Sequence, residues 1–228
     1  MGRPKIHDEN TAATLLWVAE DLLQERGTAA LSIREVADGA GTSTQAVYTL
    51  FGSKEGLLGA LGAHAMELLQ SGVDAIPATS DPRHDLVEAA LVFRRFALDH
   101  PALFEVAFHR RDPMIALRFQ SASDNALAAL YRRFEPLAAG ELLGGRTPAE
   151  AVLAFSCLCE GMAALELRAT RYPPEPEHVW CQAIAALLAG FEQPVDQAAL
   201  QHPNPKSKKP TRIRLTSTAQ NDTTQPLR

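Results

Sequence analysis

Apolar side chains recur every three to four residues along most of the chain, and this spacing predicts α-helices. In the first quarter of the chain it predicts a long helix over residues 8–26, stopped by Gly27, and two short helices over 32–39 and 43–51. Two short helices joined by a glycine-containing turn are typical of a helix-turn-helix, whose second helix enters the major groove of DNA. A helical hairpin in any all-α protein has similar spacing, so this pattern alone leaves both interpretations open.

Capping residues mark the start of the two short helices. Ser32 has Glu35 three residues later, the spacing of a capping box, and Ser43 can cap the second short helix. Gly39 and Gly41 bracket the turn, where the backbone can take a positive φ. These local signals favour the helix-turn-helix over residues 32–54.

The remainder of the chain is also predicted to be helical. Residues 77–82 form its clearest boundary, and three starts carry proline in the first turn: Asp81-Pro82, Asp112-Pro113, and Thr147-Pro148 with Glu150 as a capping box. The predicted helices cover 53–75, 82–99, a short segment from 101, 113–135, 148–171 and 175–192, with a loop over 136–146.

The predicted fold class is therefore all-α, with about nine helices. A three-helix helix-turn-helix headpiece is expected over 1–52, a linking helix over 53–75, and a helical bundle over 76–193. The tail, 194–228, is polar and basic and is expected to be disordered. The tail's basic residues either add sequence-independent DNA affinity or only solubilise that end: Lys206, Lys208, Lys209, Arg212 and Arg214.

Three glycines recur every three residues on the predicted linking helix: Gly56, Gly59 and Gly62. Each glycine costs roughly 1 kcal/mol against alanine inside a helix. Their repetition predicts either close packing of another element or a soft connection.

Composition narrows the class of protein. The 228 residues are 46% hydrophobic but only 6% aromatic, which suits helices and a sizeable core. No apolar run approaches the roughly 18 residues of a membrane span, and the first ten residues lack the apolar core of a signal peptide. With an odd number of cysteines, three, the chain is expected to be cytoplasmic.

The net charge of −5 is unusual for a protein that binds nucleic acid. Residues 1–60 carry five Lys or Arg against eight Asp or Glu, a difference of −3. The basic residues nevertheless lie at the N-terminal arm, the second helix and the start of the fourth, where phosphates would lie. We therefore expect weak non-specific binding and a modest salt dependence rather than no binding.

The sequence contains no constellation for catalysis, so no catalytic residue, metal or cofactor is expected. Cys157 and Cys159 lie roughly 200° apart around a helix and cannot hold one metal ion together. A redox or metal sensor that uses Cys157 and Cys181 is the minor alternative to small core residues.

Base-reading residues are expected at the start of the third helix. Gln45 can pair with adenine, while Thr44 and Ala46 suit a polar base edge and a thymine methyl. Gln45 has an alternative role, as the third residue of a capping box headed by Thr42. Arg34 is expected to touch DNA backbone or a base edge, or else to be an unpaired surface arginine.

The N-terminal arm carries two basic residues, Arg3 and Lys5. They would touch phosphate or the minor groove, as arms of other helix-turn-helix proteins do, or belong to a solvated terminus.

Residues 15–61 resemble the DNA-binding headpiece of the tetracycline-repressor (TetR) family. The shared motifs are an AxxAGxS turn (37–43), a YxxF pair (48–51) and an SKxxL helix entry (53–57). The resemblance implies that Tyr48 meets a phosphate, that Lys54 clamps another, and that Ser43 belongs to the DNA-contacting turn. It also implies that the tilt of helix 53–75 changes when an inducer binds.

The resemblance further implies a homodimer on a palindromic operator and an effector pocket in the body. The dimer would form through helices 148–171 and 175–192, which carry small residues and leucines. Residues 153–167 partly resemble a subset of the family with a Trp-x-x-x-His-Gly signature, with Glu160 in place of the histidine. The apolar residues expected around the pocket are Phe93, Phe96, Phe104, Phe108, Met114, Phe119, Phe155 and Met162.

The function predicted from these observations is a ligand-responsive transcriptional regulator, most often a repressor in this family, with a small apolar effector and no membrane partner. One alternative is a helical small-molecule-binding protein or enzyme that has lost DNA binding. Another is a TetR-like activator.

Overall fold

The computed structural model describes residues 6–27, 31–109, 112–168 and 173–194. These residues form ten α-helices and one π-helical turn, with no strand among them, which confirms the all-α class. The α-helices are α1 (Ile6–Arg26), α2 (Ile33–Gly39), α3 (Thr44–Phe51), α4 (Lys54–Asp74), α5 (Pro82–Asp99), α6 (Pro101–Phe104), α7 (Pro113–Arg118), α8 (Gln120–Ala139), α9 (Pro148–Arg168) and α10 (Pro176–Phe191); the π-helical turn, Glu105–His109, follows α6 directly.

Helices α1, α2 and α3 pack on one another as the predicted headpiece. Leu15, Ala19 and Leu23 form the buried stripe of α1, and Val36 and Val47 are its fully buried counterparts on α2 and α3. This apolar cluster stabilises α2 and α3, because isolated helices this short are only marginally stable in water and depend on a packed face.

The glycines of the turn act differently from one another. Gly41 has a φ of 64°, as predicted, and Gly27 ends α1 with a φ of 76°. Gly39 is helical instead, and a Cβ there would lie 2.8 Å from Val18 Cγ1. Gly39 therefore serves the close approach of α2 to α1.

Most predicted caps are present. Asp81 accepts hydrogen bonds from the Arg83 and His84 amides, and Asp112 accepts one from the Met114 amide. At the start of α9 the capping box is reciprocal: Thr147 N donates to Glu150 Oε2 over 2.7 Å, and Glu150 N donates to Thr147 Oγ1 over 3.3 Å.

The capping box predicted for α2 is wrong. Ser32 occupies the N-cap position but its side chain makes no capping hydrogen bond. Glu35 instead accepts a hydrogen bond from Arg26 Nη1 over 2.8 Å, which joins α2 to the end of α1. A cation from a neighbouring helix has replaced the local backbone donor.

Helix α4 is the central element of the body and packs against α5, α7 and α8. A Cβ on Gly59 would lie 2.6 Å from Arg118 Cβ, and one on Gly62 would lie 2.5 Å from the Phe119 ring. The glycines therefore form a groove that receives the end of α7, in agreement with the close-packing alternative.

The predicted helix over 113–135 is two helices in the structure. Phe119 separates α7 from α8 with φ −117° and ψ 16°, and its ring is buried against Gly62. No glycine or proline marks this break, so its cause is tertiary packing. The loop predicted to begin at residue 136 is also wrong, because α8 continues through Pro136 to Ala139, anchored by buried Leu137.

A buried ionic cluster joins α5, α9 and α10. Glu166 accepts hydrogen bonds from Arg94 Nε and Nη2, the shorter being 2.7 Å, and another from Trp180 Nε1 over 2.8 Å. The Glu166 side chain is only 8% exposed and that of Arg94 15%. The carboxylate is therefore fully committed to holding three helices together.

Candidate nucleic-acid interface and cavity

Helix α3 presents its first residues to solvent. Ser43 Oγ accepts a hydrogen bond from Ala46 N over 3.2 Å, so Ser43 is the N-cap. Thr44 and Gln45 are exposed, while Val47 is fully buried and fixes the helix in the headpiece. The polar start of α3 thus projects from an apolar anchor, the arrangement that a recognition helix requires.

The structure argues against the capping-box role considered for Gln45. With Ser43 as N-cap, Gln45 is the second helical residue rather than the third residue of a box headed by Thr42. Its side chain makes no hydrogen bond with the residues that the structure describes. The exposed carboxamide is therefore available to a base edge.

Two other predicted contact residues lie at the start of α4 and on α3. Ser53 caps α4 by accepting from Gly56 N over 3.1 Å, which makes Lys54 the first helical residue. Free amides in a first helical turn favour anions, and the Lys54 ammonium adds a positive charge there. Tyr48 is 49% exposed.

The remaining predicted DNA contacts are one exposed arginine and the arm. Arg34 is 85% exposed, and its Nε lies 3.8 Å from Asp38 Oδ2, a pair too solvated to hold the side chain in one geometry. Arg3 and Lys5 lie outside the described residues, as do the basic residues of the tail.

The body contains a partly open cavity of about 240 Å³ between α4, α5, α8 and α9, with the π-helical turn on one side. Its walls are mainly apolar, and Glu160 is the charged residue among those that line it. The π-helical turn places Ala107 and Phe108 at the cavity wall. Such turns are rare and frequent at functional sites.

Comparisons with known proteins identify the family. Residues 15–61 match the model of bacterial regulatory proteins of the tetR family, and residues 86–187 match a tetracyclin repressor-like C-terminal domain. The chain is 38% identical over 151 residues to the HTH-type transcriptional repressor Rv3405c of Mycobacterium tuberculosis (strain ATCC 25618 / H37Rv), which covers 57% of this chain and 76% of that protein. The chain belongs to the TetR family of transcriptional regulators.

Solved structures show the same TetR fold at low identity. A protein of unknown function from Rhodococcus sp. RHA1 has a TM-score of 0.72 at 23% identity and covers 84% of this chain and 100% of its own. The TetR family transcriptional regulator PfmR from Thermus thermophilus has a TM-score of 0.61 at 21% identity, with coverage of 78% and 99%. Across the described residues, no helix is long and apolar enough to cross a membrane.

Only part of the predicted effector set lines the cavity of this TetR-family body. Phe93, Phe108 and Phe155 do, and the Phe93 and Phe108 rings meet edge to face with centroids 5.3 Å apart. The others do not line it: Phe96, Phe104, Phe119 and Met162 are buried elsewhere in the core, and Met114 is 65% exposed. The sequence shows only that these residues are large and apolar, and such residues occur both in the core and in cavity walls.

Residues of α4 that the sequence reasoning did not name complete the wall. Met66, Leu69 and Val73 line the cavity. Their spacing of three and four residues places them on one helix face, a pattern visible in the sequence. Nothing in the sequence distinguished that face from ordinary core.

Only part of the face expected to dimerise is exposed. Among the small residues and leucines of the two last helices, Ala163 and Ala164 of α9 and Leu188 of α10 are buried within the protomer, whereas Ala185, Ala186 and Ala189 of α10 are exposed. Leu153 and Leu165 are 64% and 59% exposed instead. Exposed Cys157 and Gly161 continue that stripe at four-residue intervals.

Headpiece and body meet through a polar contact. His100 Nδ1, at the junction of α5 and α6, lies 2.7 Å from Glu20 Oε1 of α1. Together with the contacts of α1 on α6 and α4, this pair ties the headpiece to the body at a second place besides the chain connection.

Proposed function

We propose that this TetR-family protein is a homodimeric repressor that binds a palindromic operator and releases it when a small molecule enters the body cavity. The observation that carries the proposal is the start of α3, where Thr44 and Gln45 are exposed beside the buried anchor Val47. Gln45 would read a base edge, while Lys54 and Tyr48 would position the headpiece on phosphates. The proposed working compartment is the cytoplasm, and no catalytic role is proposed.

We propose the following domain division for this function. Residues 1–52 form the DNA-binding headpiece, helix 53–75 links it to the body, and residues 76–193 bind ligand and dimerise. Helix α4 belongs to both ends: Lys54 starts it, and Met66 on the same helix lines the cavity. The two residues are twelve positions apart, or about 18 Å along the axis.

That shared helix supplies the proposed coupling. A ligand that contacts Met66, Leu69 and Val73 acts on α4, and Lys54, the proposed phosphate contact, lies at the start of the same helix. Release of DNA requires that the ligand bind the non-operator conformation more tightly than the operator-bound one. Arg118 and Phe119 fill the glycine groove of α4, so a shift of α7 would also move α4.

DNA binding is tested with genomic fragments, starting with the DNA upstream of the chain's own gene, by gel shift at several salt concentrations. Gln45→Ala should relax preference at one base position by about 1–3 kcal/mol. Lys54→Ala should weaken binding to all sequences similarly and lower the salt slope by about 1.

The matched control for Lys54→Ala is Arg95→Ala. Arg95 is an exposed cation on α5, so its replacement removes one charge without touching the headpiece. Binding should change little in that variant. If the parent protein bound no fragment, or if binding were independent of salt, the DNA-binding proposal would fail and the ligand-carrier alternative would be favoured.

The proposed dimer uses the exposed stripe of α9, Leu153 to Leu165, against the same stripe of a second copy. Two-fold symmetry brings one patch against itself, which suits a face of leucines and small residues. Leu153→Glu should give monomers in size-exclusion chromatography with light scattering, and weaker operator binding. Leu117→Glu is the control, because Leu117 is 66% exposed but lies on α7. Dissociation by Leu117→Glu alone would place the interface elsewhere.

A further inference from the structure

The polar groups of the cavity are concentrated on one helix. Most lining residues are apolar, and the polar side chains among them are Ser123 of α8 and Ser156, Cys159 and Glu160 of α9. Ser156 and Glu160 are four residues apart and therefore lie on the same face of α9. The cavity thus has an apolar body, with a carboxylate and a hydroxyl one turn apart on one wall.

Glu160 makes no hydrogen bond or ion pair with any residue that the structure describes. It is half-buried. The contrast is Glu166, six residues further along the same helix, whose carboxylate is occupied by Arg94 and Trp180. One carboxylate of α9 is used to hold the fold, and the other lines the cavity with no partner among the described residues.

An ionised carboxylate only accepts hydrogen bonds, so it selects ligands that donate them. A partly desolvated charge is costly unless an opposite charge or donors meet it, and charge-assisted bonds are the strongest of their kind. A ligand with a cationic amine would satisfy Glu160, whereas an anionic ligand would be repelled by it. The aromatic residues of the lining, Phe93, Phe108 and Phe155, would pack against the apolar part of such a ligand.

We propose that the effector is a small amphipathic amine whose ammonium group is bound by Glu160 and whose hydrocarbon part packs against the apolar walls of the cavity. The volume of about 240 Å³ equals roughly eight water volumes at about 30 Å³ each, which suits about ten non-hydrogen atoms. That the amine acts as an effector rests on the proposed repressor function, but the preference of the cavity for an amine does not.

The test uses three probes of one shape that differ in one group: 4-phenylbutylamine, 4-phenylbutan-1-ol and 4-phenylbutyrate. Each is titrated calorimetrically into the full chain without DNA. The amine should bind about 10- to 100-fold more tightly than the alcohol, the gain typical of a hydrogen bond to a charged group, and the carboxylate should bind most weakly.

Two variants assign the preference to Glu160. Glu160→Gln should bind amine and alcohol with similar affinity, while Glu135→Gln, an exposed carboxylate of α8 that does not line the cavity, should keep the parent's preference. The proposal is overturned if no probe binds, if the carboxylate binds most tightly, or if the amine preference survives in Glu160→Gln. Circular dichroism of each variant shows that it is folded.

A gel shift with added probe separates this inference from the proposed function. Amine binding that depends on Glu160 but leaves protein on DNA would uphold the inference and refute ligand-controlled release. Release of DNA by the alcohol or the carboxylate, without preference for the amine, would uphold ligand-controlled release and refute the inference.

Discussion

Replacing Glu166 with alanine should reveal how much of the body's stability depends on one buried carboxylate. Glu166 belongs to α9, Arg94 to α5 and Trp180 to α10, and Trp180 is fully buried. The variant leaves the Arg94 guanidinium, 15% exposed, without its bidentate acceptor and the Trp180 N–H without its own.

The expected loss can be worked from these contacts. Removing one partner of a buried ion pair costs about 3–5 kcal/mol, and Arg94 would lose its closest, bidentate counter-charge. Glu177 offers Arg94 little rescue, since it is 68% exposed and 3.8 Å away. In a protein of this size about 2–4 °C of Tm is lost per kcal/mol, so Glu166→Ala should lower Tm by about 6–20 °C.

The assay is urea and thermal unfolding at one fixed protein concentration, because dimer stability depends on concentration. Glu177→Ala is the matched control and should change the free energy of unfolding by at most about 1 kcal/mol, as for other exposed pairs. The double variant Arg94→Met, Glu166→Leu removes both charges and should be more stable than Glu166→Ala, with a residual loss of about 1–3 kcal/mol from the unsatisfied Trp180 N–H.

The reasoning is refuted if Glu166→Ala stays within about 1 kcal/mol of the parent, because that loss is typical of an exposed pair. It is also refuted if the double variant is no more stable than the single one, since the damage would then come from lost packing rather than from the loss of the Arg94–Glu166 ion pair.

Three further predictions concern local contacts. Hydrogen bonds from the Thr79 hydroxyl, and then from the Thr79 amide, lower the pKa of Asp85 below its ordinary value. The stabilisation that Asp85→Asn removes should therefore be complete above the ordinary pKa and should be lost as the pH falls through the lowered pKa. Urea unfolding of both proteins across pH measures this difference. Thr147→Ala should cost about 1 kcal/mol in the same assay through loss of the α9 cap. Gly62→Ala should cost about 1–3 kcal/mol by overpacking against the Phe119 ring, whereas Gly190→Ala, with open space around it, should not; equal losses would contradict the glycine groove.

The sequence by itself determined what depends on neighbours within a few residues. Asp81, Asp112 and Thr147 cap helices because a short polar side chain reaches amides two or three residues on, whatever the rest of the fold does. The helical spacing of Leu15, Ala19 and Leu23 likewise places them on one face of α1, and all three are buried. The motifs of residues 15–61 then sufficed for the family.

Tertiary structure decided whatever depends on a second helix. Glu35 pairs with Arg26 instead of the α2 backbone because α1 ends beside it. The chain breaks at Phe119 because that ring fills the groove at Gly62, a contact 57 positions distant in the chain that no local pattern records.

The cavity and the exposed face follow the same division. Periodicity says that a residue points inward, but only the neighbouring helices decide whether it meets another side chain, as Phe104 does, or an unfilled space, as Phe155 does. The leucines of α9 show the converse, because Ala163 is buried within the protomer while Leu153 is left outside. Whether a residue is buried depends on which other helix packs against it, and the local sequence of one helix does not specify that neighbour.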